Sequence, residues 1–278
     1  MNTHNHPVSQ LIAIGFMAMS SAITAQSFSD LDFGNPVEAS DSSHPTYGPS
    51  WTGNSISFTN VAPGVDMKMT MSGIGTGLSV DGIFANYKSN NTNEPNGDLG
   101  FRYEASSYNY ATITSTLDFY KSGTNFSERI EIARFRMMMY DVDGEANQSE
   151  GATFYAEDGL VGYQLASADA SPRPSSVSSD HVTFTGPGTN KSETDTSGAM
   201  ILHFENTDSI RLEMFANTTA GNTPNGVFTA FDGDLSMLGG DLSDFGDVEL
   251  LPDAVPEPGT ASMLVGALGA LCLLRRRI

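Results

Sequence analysis

Val65-Asp-Met-Lys-Met-Thr-Met71 (VDMKMTM) alternates apolar and polar side chains without a slip. On an extended backbone successive side chains leave opposite faces. Val65, Met67, Met69 and Met71 therefore line one side, and Asp66, Lys68 and Thr70 the other. A helix would scatter the same residues around its circumference. Ile210, Leu212 and Met214, interleaved with Arg211 and Glu213, repeat the pattern. Further strand-like runs lie at 55–59, 101–104, 110–120, 129–140, 152–156, 161–165, 182–185, 200–204, 227–231 and 248–251, and no helical period of useful length occurs between Gln26 and Asp253.

Turn-forming residues fill the gaps, as in 89–98 (SNNTNEPNGD) and 171–179 (SPRPSSVSS). About a dozen short strands joined by polar turns predict an all-β body, an antiparallel β-sandwich or jelly roll. The apolar phase changes along 129–140, from Ile130 and Ile132 to Phe135, Met137 and Met139. A β-bulge near Ala133 and Arg134 would produce that change. No fixed-period repeat is visible. Residues 26–239 read as one domain, and 240–254 as an acidic linker in which 248–251 offers a last strand.

The 278 residues carry 33 acidic and 13 basic side chains, a formal charge of −20. Three of the basic residues are Arg275, Arg276 and Arg277, so the body holds 33 acids against ten bases, a net −23. Such a surface repels phosphate backbones and anionic lipid headgroups, which argues against a nucleic-acid partner, and it keeps a protein dispersed. The single cysteine, Cys272, lies near the C-terminus, leaving the body without disulfides, cysteine-ligated zinc or a thiol nucleophile. A body of this length reaches a sizeable core without cross-links.

The two ends differ from the body. Residues 11–25 (LIAIGFMAMSSAITA) are apolar, too short to span a bilayer, and close on small residues before polar Gln26 and Ser27. That is the build of a secretory signal peptide, 1–25, with cleavage after Ala25 and Ala22 as the alternative. Its first ten residues contain no Lys or Arg. At the other end, Pro256 and Pro258 precede an uncharged stretch, 259–274, and then three arginines. A helix over those 16 residues rises about 24 Å, enough for a single transmembrane helix with local thinning of the bilayer. The arginines stop transfer and hold the terminus on the cytoplasmic side.

Val255, Pro256, Glu257 and Pro258, followed by an apolar helix and Arg275, Arg276 and Arg277, resemble the PEP-CTERM protein-sorting tail, here at 255–278. The resemblance implies export by the general secretion machinery and recognition of the tail by an exosortase. It also implies an inner-membrane-anchored intermediate that is released or re-attached at the cell surface or in the extracellular matrix. Such proteins are typical of Gram-negative bacteria that make exopolysaccharide. On this resemblance the Pro-Glu-Pro residues are a processing address and not a catalytic site.

Within the body, Asp141, Asp143 and Glu145 of the Met139–Glu145 stretch (MYDVDGE) share one side of an extended backbone while Val142 faces inward. Hard oxygen ligands so spaced, with Glu150 nearby, are candidates for Ca²⁺, the one cofactor the residues offer. An EF-hand is excluded because Ala146 and Ala152 occupy its glycine and bidentate-glutamate positions. The plainer alternative is an acidic turn in which Asp caps backbone N–H groups and Gly144 supplies the bend. The second acidic stretch, Asp232, Asp234, Asp241, Asp244 and Asp247, reads as solvated turns. Trp51, Tyr108 and Tyr110 are candidates for stacking on sugar rings, with core or sheet-face packing as the competing use. Met67, Met69, Met71 and Met137 to Met139 read as core filling.

Catalytic constellations are wanting: the body has only His44, His181 and His203, and no Gly-x-Ser-x-Gly, His-Glu-x-x-His or phosphate loop. The leading expectation is a non-enzymatic surface or matrix protein associated with extracellular polysaccharide. A Ca²⁺-assisted, lectin-like glycan-binding module is the alternative. A polysaccharide hydrolase stands third, because glycoside hydrolysis asks only for two facing carboxylates.

Overall fold

The alternating stretches form strands in a computed structural model that describes residues 28–44, 48–74, 78–87, 97–105, 110–166, 172–191, 195–219, 226–238 and 241–252. The expected signal peptide (1–25) and the sorting tail with its helix (255–278) lie outside the described residues. In chain order the strands are β1 (Ser42–His44), β2 (Gly48–Ser50), β3 (Ser55–Ala62), β4 (Val65–Ile74), β5 (Leu78–Tyr87), β6 (Asp98–Ala105), β7 (Tyr110–Lys121) and β8 (Ile132–Tyr140). They continue as β9 (Gln148–Tyr155), β10 (Leu160–Leu165), β11 (Arg173–Val177), β12 (His181–Thr185), β13 (Met200–Thr207), β14 (Ser209–Thr218), β15 (Gly226–Asp232) and β16 (Glu249–Leu250).

Apart from the small hairpin β1-β2, these strands make two seven-stranded antiparallel sheets. The first has the order β16-β10-β13-β8-β15-β6-β5, and the second β11-β12-β9-β14-β7-β4-β3. Most connections between successive strands cross from one sheet to the other, so the sheets face each other as a sandwich. Met67 and Met69 of β4, Leu117 and Phe119 of β7 and Leu212 and Met214 of β14 meet Phe101, Phe135, Met137, Met139, Phe204 and Phe231 of the first sheet in one core. Phe135 and Phe204, cross-strand partners, stack with centroids 5.0 Å apart at 10°.

A second apolar cluster covers part of the outer face of the first sheet. Met138, Tyr140, Ile201, Ala230 and Phe84 point outward from their strands and are buried by Leu235 and Phe245 of the chain after β15. Met137 to Tyr140 are consequently buried on both faces. The methionines of β4, with Met137 and Met139 of β8, fill the core as their composition suggested, and Met138 fills the outer cluster.

Three expectations are corrected. The phase change along 129–140 is not a bulge. Arg129 bridges Tyr120, and the Ile130 N–H donates to Phe119 O, which places both against β7 of the second sheet. Ile132 onward belongs to the first sheet, in unbroken register with β13. The chain changes sheets at this point, and the apolar phase changes with it. Residues 241–252, expected as part of a linker, run along β10: Phe245 bridges Ala166, and the Gly246 and Leu251 N–H groups donate to Leu165 O and Val161 O. Finally, β11 lies inside the expected turn 171–179, and its Pro174 is tolerated because the strand is an edge.

The segment before β1 is also part of the sandwich. Backbone N–H groups of Ser29, Leu31, Asp32 and Phe33 donate to Arg134 O, Gly233 O, Val61 O and Gly97 O, and Leu31 and Phe33 are fully buried. These few residues join both sheets.

Candidate functional site

Strand β8 ends where Asp141 adopts a positive φ of 60°, and the chain then turns into β9. Val142 is buried in the core, as its alternation required. Asp143 is buried too, and its carboxylate is already engaged: it accepts the N–H groups of Gly144 and Lys191, while Asp143 O accepts the Gly188 N–H at 2.7 Å. Gly144 sits at φ 78°, where a Cβ would lie 2.5 Å from Gln148 O, so the bend requires glycine. Glu145 and Gln148 close the turn through reciprocal backbone bonds of 2.7 and 3.1 Å, and the Glu145 side chain is exposed. Asp143 thus fastens the 186–191 loop to this turn. Among the described residues no three His, Cys, Asp or Glu side chains converge as metal ligands would.

Glu150 follows on β9 and points between the sheets. Burial first, and then the negative charges of Asp143, Asp141 and Glu145, push its carboxyl well above the ordinary 4.5, against a hydrogen bond with Gln148. Burial also raises the Asp143 carboxyl, against its two backbone hydrogen bonds. Across the gap Tyr103 of β6 donates to Phe215 O at 3.4 Å, and burial, then Glu150, raises its phenol well above 10. Gln148 Oε1 accepts from Thr218 Oγ1 at 3.0 Å. This end of the interior is polar, and burial there favours the neutral form of the Glu150 carboxyl.

The expected sugar-stacking residues fare differently. Trp51 is 5% exposed, bridges Ile83 of β5 and donates its indole N–H to Glu38 O at 3.2 Å. It is a core residue, and its ring is closed to a glycan. Tyr108 lies outside the described residues; Tyr110 begins β7 opposite Asn217, and its side chain is not described. Asp232, expected in a solvated turn, is fully buried and caps the N–H groups of Asp234 and Ser236 at 3.1 Å each.

Two histidines have defined surroundings. Ser178, Asp180 and His181 meet in one turn, but Ser178 Oγ and Asp180 Oδ1 both approach the same ring nitrogen, Nδ1, at 3.0 and 3.2 Å, and Ser178 donates to Asp180. A nucleophile relay needs serine and aspartate on opposite ring nitrogens, so this trio is a turn clasp. His203 is buried on the outer face of the first sheet, with Nε2 2.9 Å from Gln164 Oε1 and its ring 5.6 Å from that of Phe28. Burial, then Arg136 and Arg134, lowers it to about 4. The guanidiniums of Arg134 and Arg136 stand 4.2 and 4.9 Å from the Phe28 ring. Alternation in β8 signalled that two arginines share a face, but nothing in the sequence linked them to Phe28.

Residues 254–278 match the family model of the PEP-CTERM protein-sorting motif, which includes Val255, Pro256, Glu257, Pro258, Arg275, Arg276 and Arg277. No curated protein matches the chain. Among solved structures, the N-terminal domain of the Streptococcus gordonii adhesin Sgo0707 is similar over 73% of this chain at 11% identity and a TM-score of 0.43. The alignment spans 62% of that domain.

Proposed function

We propose that this chain is an exported cell-surface or extracellular-matrix protein whose β-sandwich binds or builds and does not catalyse, and that it works beside exopolysaccharide. The carrying observation is the sorting motif at 254–278 joined to an acidic body without cysteine. The motif implies export, passage through the membrane and processing by an exosortase. A net −23 on the body supports a protein that stays dispersed in a hydrated matrix and does not adhere to lipid or nucleic acid at random. Asp143, held by backbone N–H groups, and Trp51, held in the core, favour a structural use of those residues over a calcium lectin.

Two measurements test this. The chain is expressed with and without an exosortase, alongside a variant with Pro256, Glu257 and Pro258 replaced by alanine. The expected result is a shortened, surface or released body only when enzyme and motif are both present, and a full-length membrane-bound chain otherwise. A chain found in the cytosol with both ends intact overturns the export reading. Co-sedimentation of the mature protein with matrix polysaccharide then tests the association, and absence from the pellet removes it.

A further inference from the structure

From the ladder of the first sheet we infer that its uncovered outer face is the surface the body lays on the bilayer while the tail is inserted. This rests on the tail occupying the membrane, as proposed above. Leu250 of β16 pairs with Gly162 of β10, Gly162 with His203 of β13, and His203 with Arg136 of β8. Three strand spacings put this row about 14 Å long. Phe28, the first described residue, lies over Arg136 and His203 at the inner end of the row, and Leu250, close to the last described residue, is at its outer end. Phe28 and Leu250 therefore stand on one side of one sheet.

Tether length limits how far the β16 edge can stand from the membrane. The chain takes seven steps from Pro252 to Gly259, where the uncharged stretch begins, a reach of at most about 25 Å even fully extended. The edge carrying β16 is therefore kept within about 25 Å of the headgroups. It is also suited to them. Val248 and Leu250 are 43% and 72% exposed, two of only four large apolar side chains so exposed among the described residues. Their methyl groups lie over Gly162, since a Cβ built there would meet Val248 Cγ1 at 3.0 Å and Leu250 Cδ2 at 3.3 Å.

Charge agrees. Arg134 and Arg136 point from the same face, and among the described residues no carboxylate pairs with Arg136, while Glu205 stands 3.3 Å from Arg134. The intervening Glu249 turns the other way, accepting the Tyr163 hydroxyl at 2.9 Å. Aliphatic side chains, an aromatic ring and guanidiniums on one face match a headgroup layer containing anionic lipid, whereas the remaining acidic surface is repelled by it. A weak contact suffices, because the tail already supplies a high effective concentration.

The cysteine-free body allows a clean test. Chain 26–278 carrying Cys272→Ser is given one new cysteine, Val248→Cys, Leu250→Cys or, at the open edge of the second sheet, Val177→Cys. Each is labelled with bimane and reconstituted into vesicles of phosphatidylethanolamine and phosphatidylglycerol bearing headgroup nitroxides. Most of the emission should be lost at 248 and 250 and retained at 177. Adding Arg136→Glu to the Leu250→Cys chain should restore part of it. Equal emission at all three sites in chains that float with the vesicles overturns the face assignment alone. Chains that do not float overturn the tail reading and the inference with it.

Discussion

The two sheets of the sandwich obey different rules. In the second, one face packs on the core and the other meets solvent: along β14, Ile210, Leu212 and Met214 are buried while Arg211 and Glu213 are half exposed. In the first, the centre of β8 has no solvent face, because Leu235, Leu238, Leu242 and Phe245 pack with Met138, Tyr140 and Ile201. A one-sided sheet tolerates polar change on alternate residues, and a two-sided one tolerates it nowhere.

The largest expected effect breaks this contrast directly. Ile201→Lys, on the covered outer face, leaves a buried unpaired charge and should cost about 3–5 kcal/mol. Thr114→Lys, outward on β7 opposite Glu213, should stay within about 0.5 kcal/mol. Urea unfolding midpoints decide between them, and equal tolerance would mean that Leu235 and Phe245 cover nothing. Next comes Phe245→Ala, which removes the cover's ring and should cost about 3 kcal/mol. A shift no larger than that of a surface alanine would again dissolve the second cluster.

Two titrations sharpen the comparison with opposite slopes. The Glu150 carboxyl is raised by burial and by Asp143, Asp141 and Glu145, so the folded state holds a proton that the unfolded state releases. Its contribution is fully present below the unfolded value near 4.5 and is lost as pH rises through the folded value. Glu150→Gln should raise the urea midpoint at pH 7 and change little below pH 4.5. His203, lowered from 6.5 to about 4 by burial and the two arginines, behaves oppositely. The unfolded state takes up the proton first, so stability falls as pH drops from 6.5 toward 4. His203→Gln keeps a hydrogen-bonding partner for Gln164 and should flatten that limb, a smaller effect than that of Glu150→Gln. An unchanged acid limb counts against a buried neutral imidazole.

The second sheet was the more legible because alternation is what a one-sided strand writes into its residues. VDMKMTM became β4 with its methionines in the core. Met137-Met-Met-Tyr140 departed from alternation for a reason no local pattern names: its cover comes from a segment about a hundred residues further on. β5 was missed because its register slips twice, at Val80/Gly82 and Ala85/Tyr87, which erases the period. At the candidate site Asp143 was visible as one acid of an acidic turn. Its second partner, the Lys191 N–H, is 48 positions away and belongs to a loop with no pattern of its own. Trp51 shows the limit most plainly, since its partners are Glu38 O, 13 positions before it, and Ile83, the residue it bridges on β5.

The opening segment of the body also governs when it can close. Ser29 and Leu31 find their backbone partners only at Arg134 and Gly233, so the first described residues wait for partners about 105 and 202 positions further on. Such long loops make closure slow relative to local pairing. The sandwich therefore closes over its first strand-like residues only once the 226–238 region is in place.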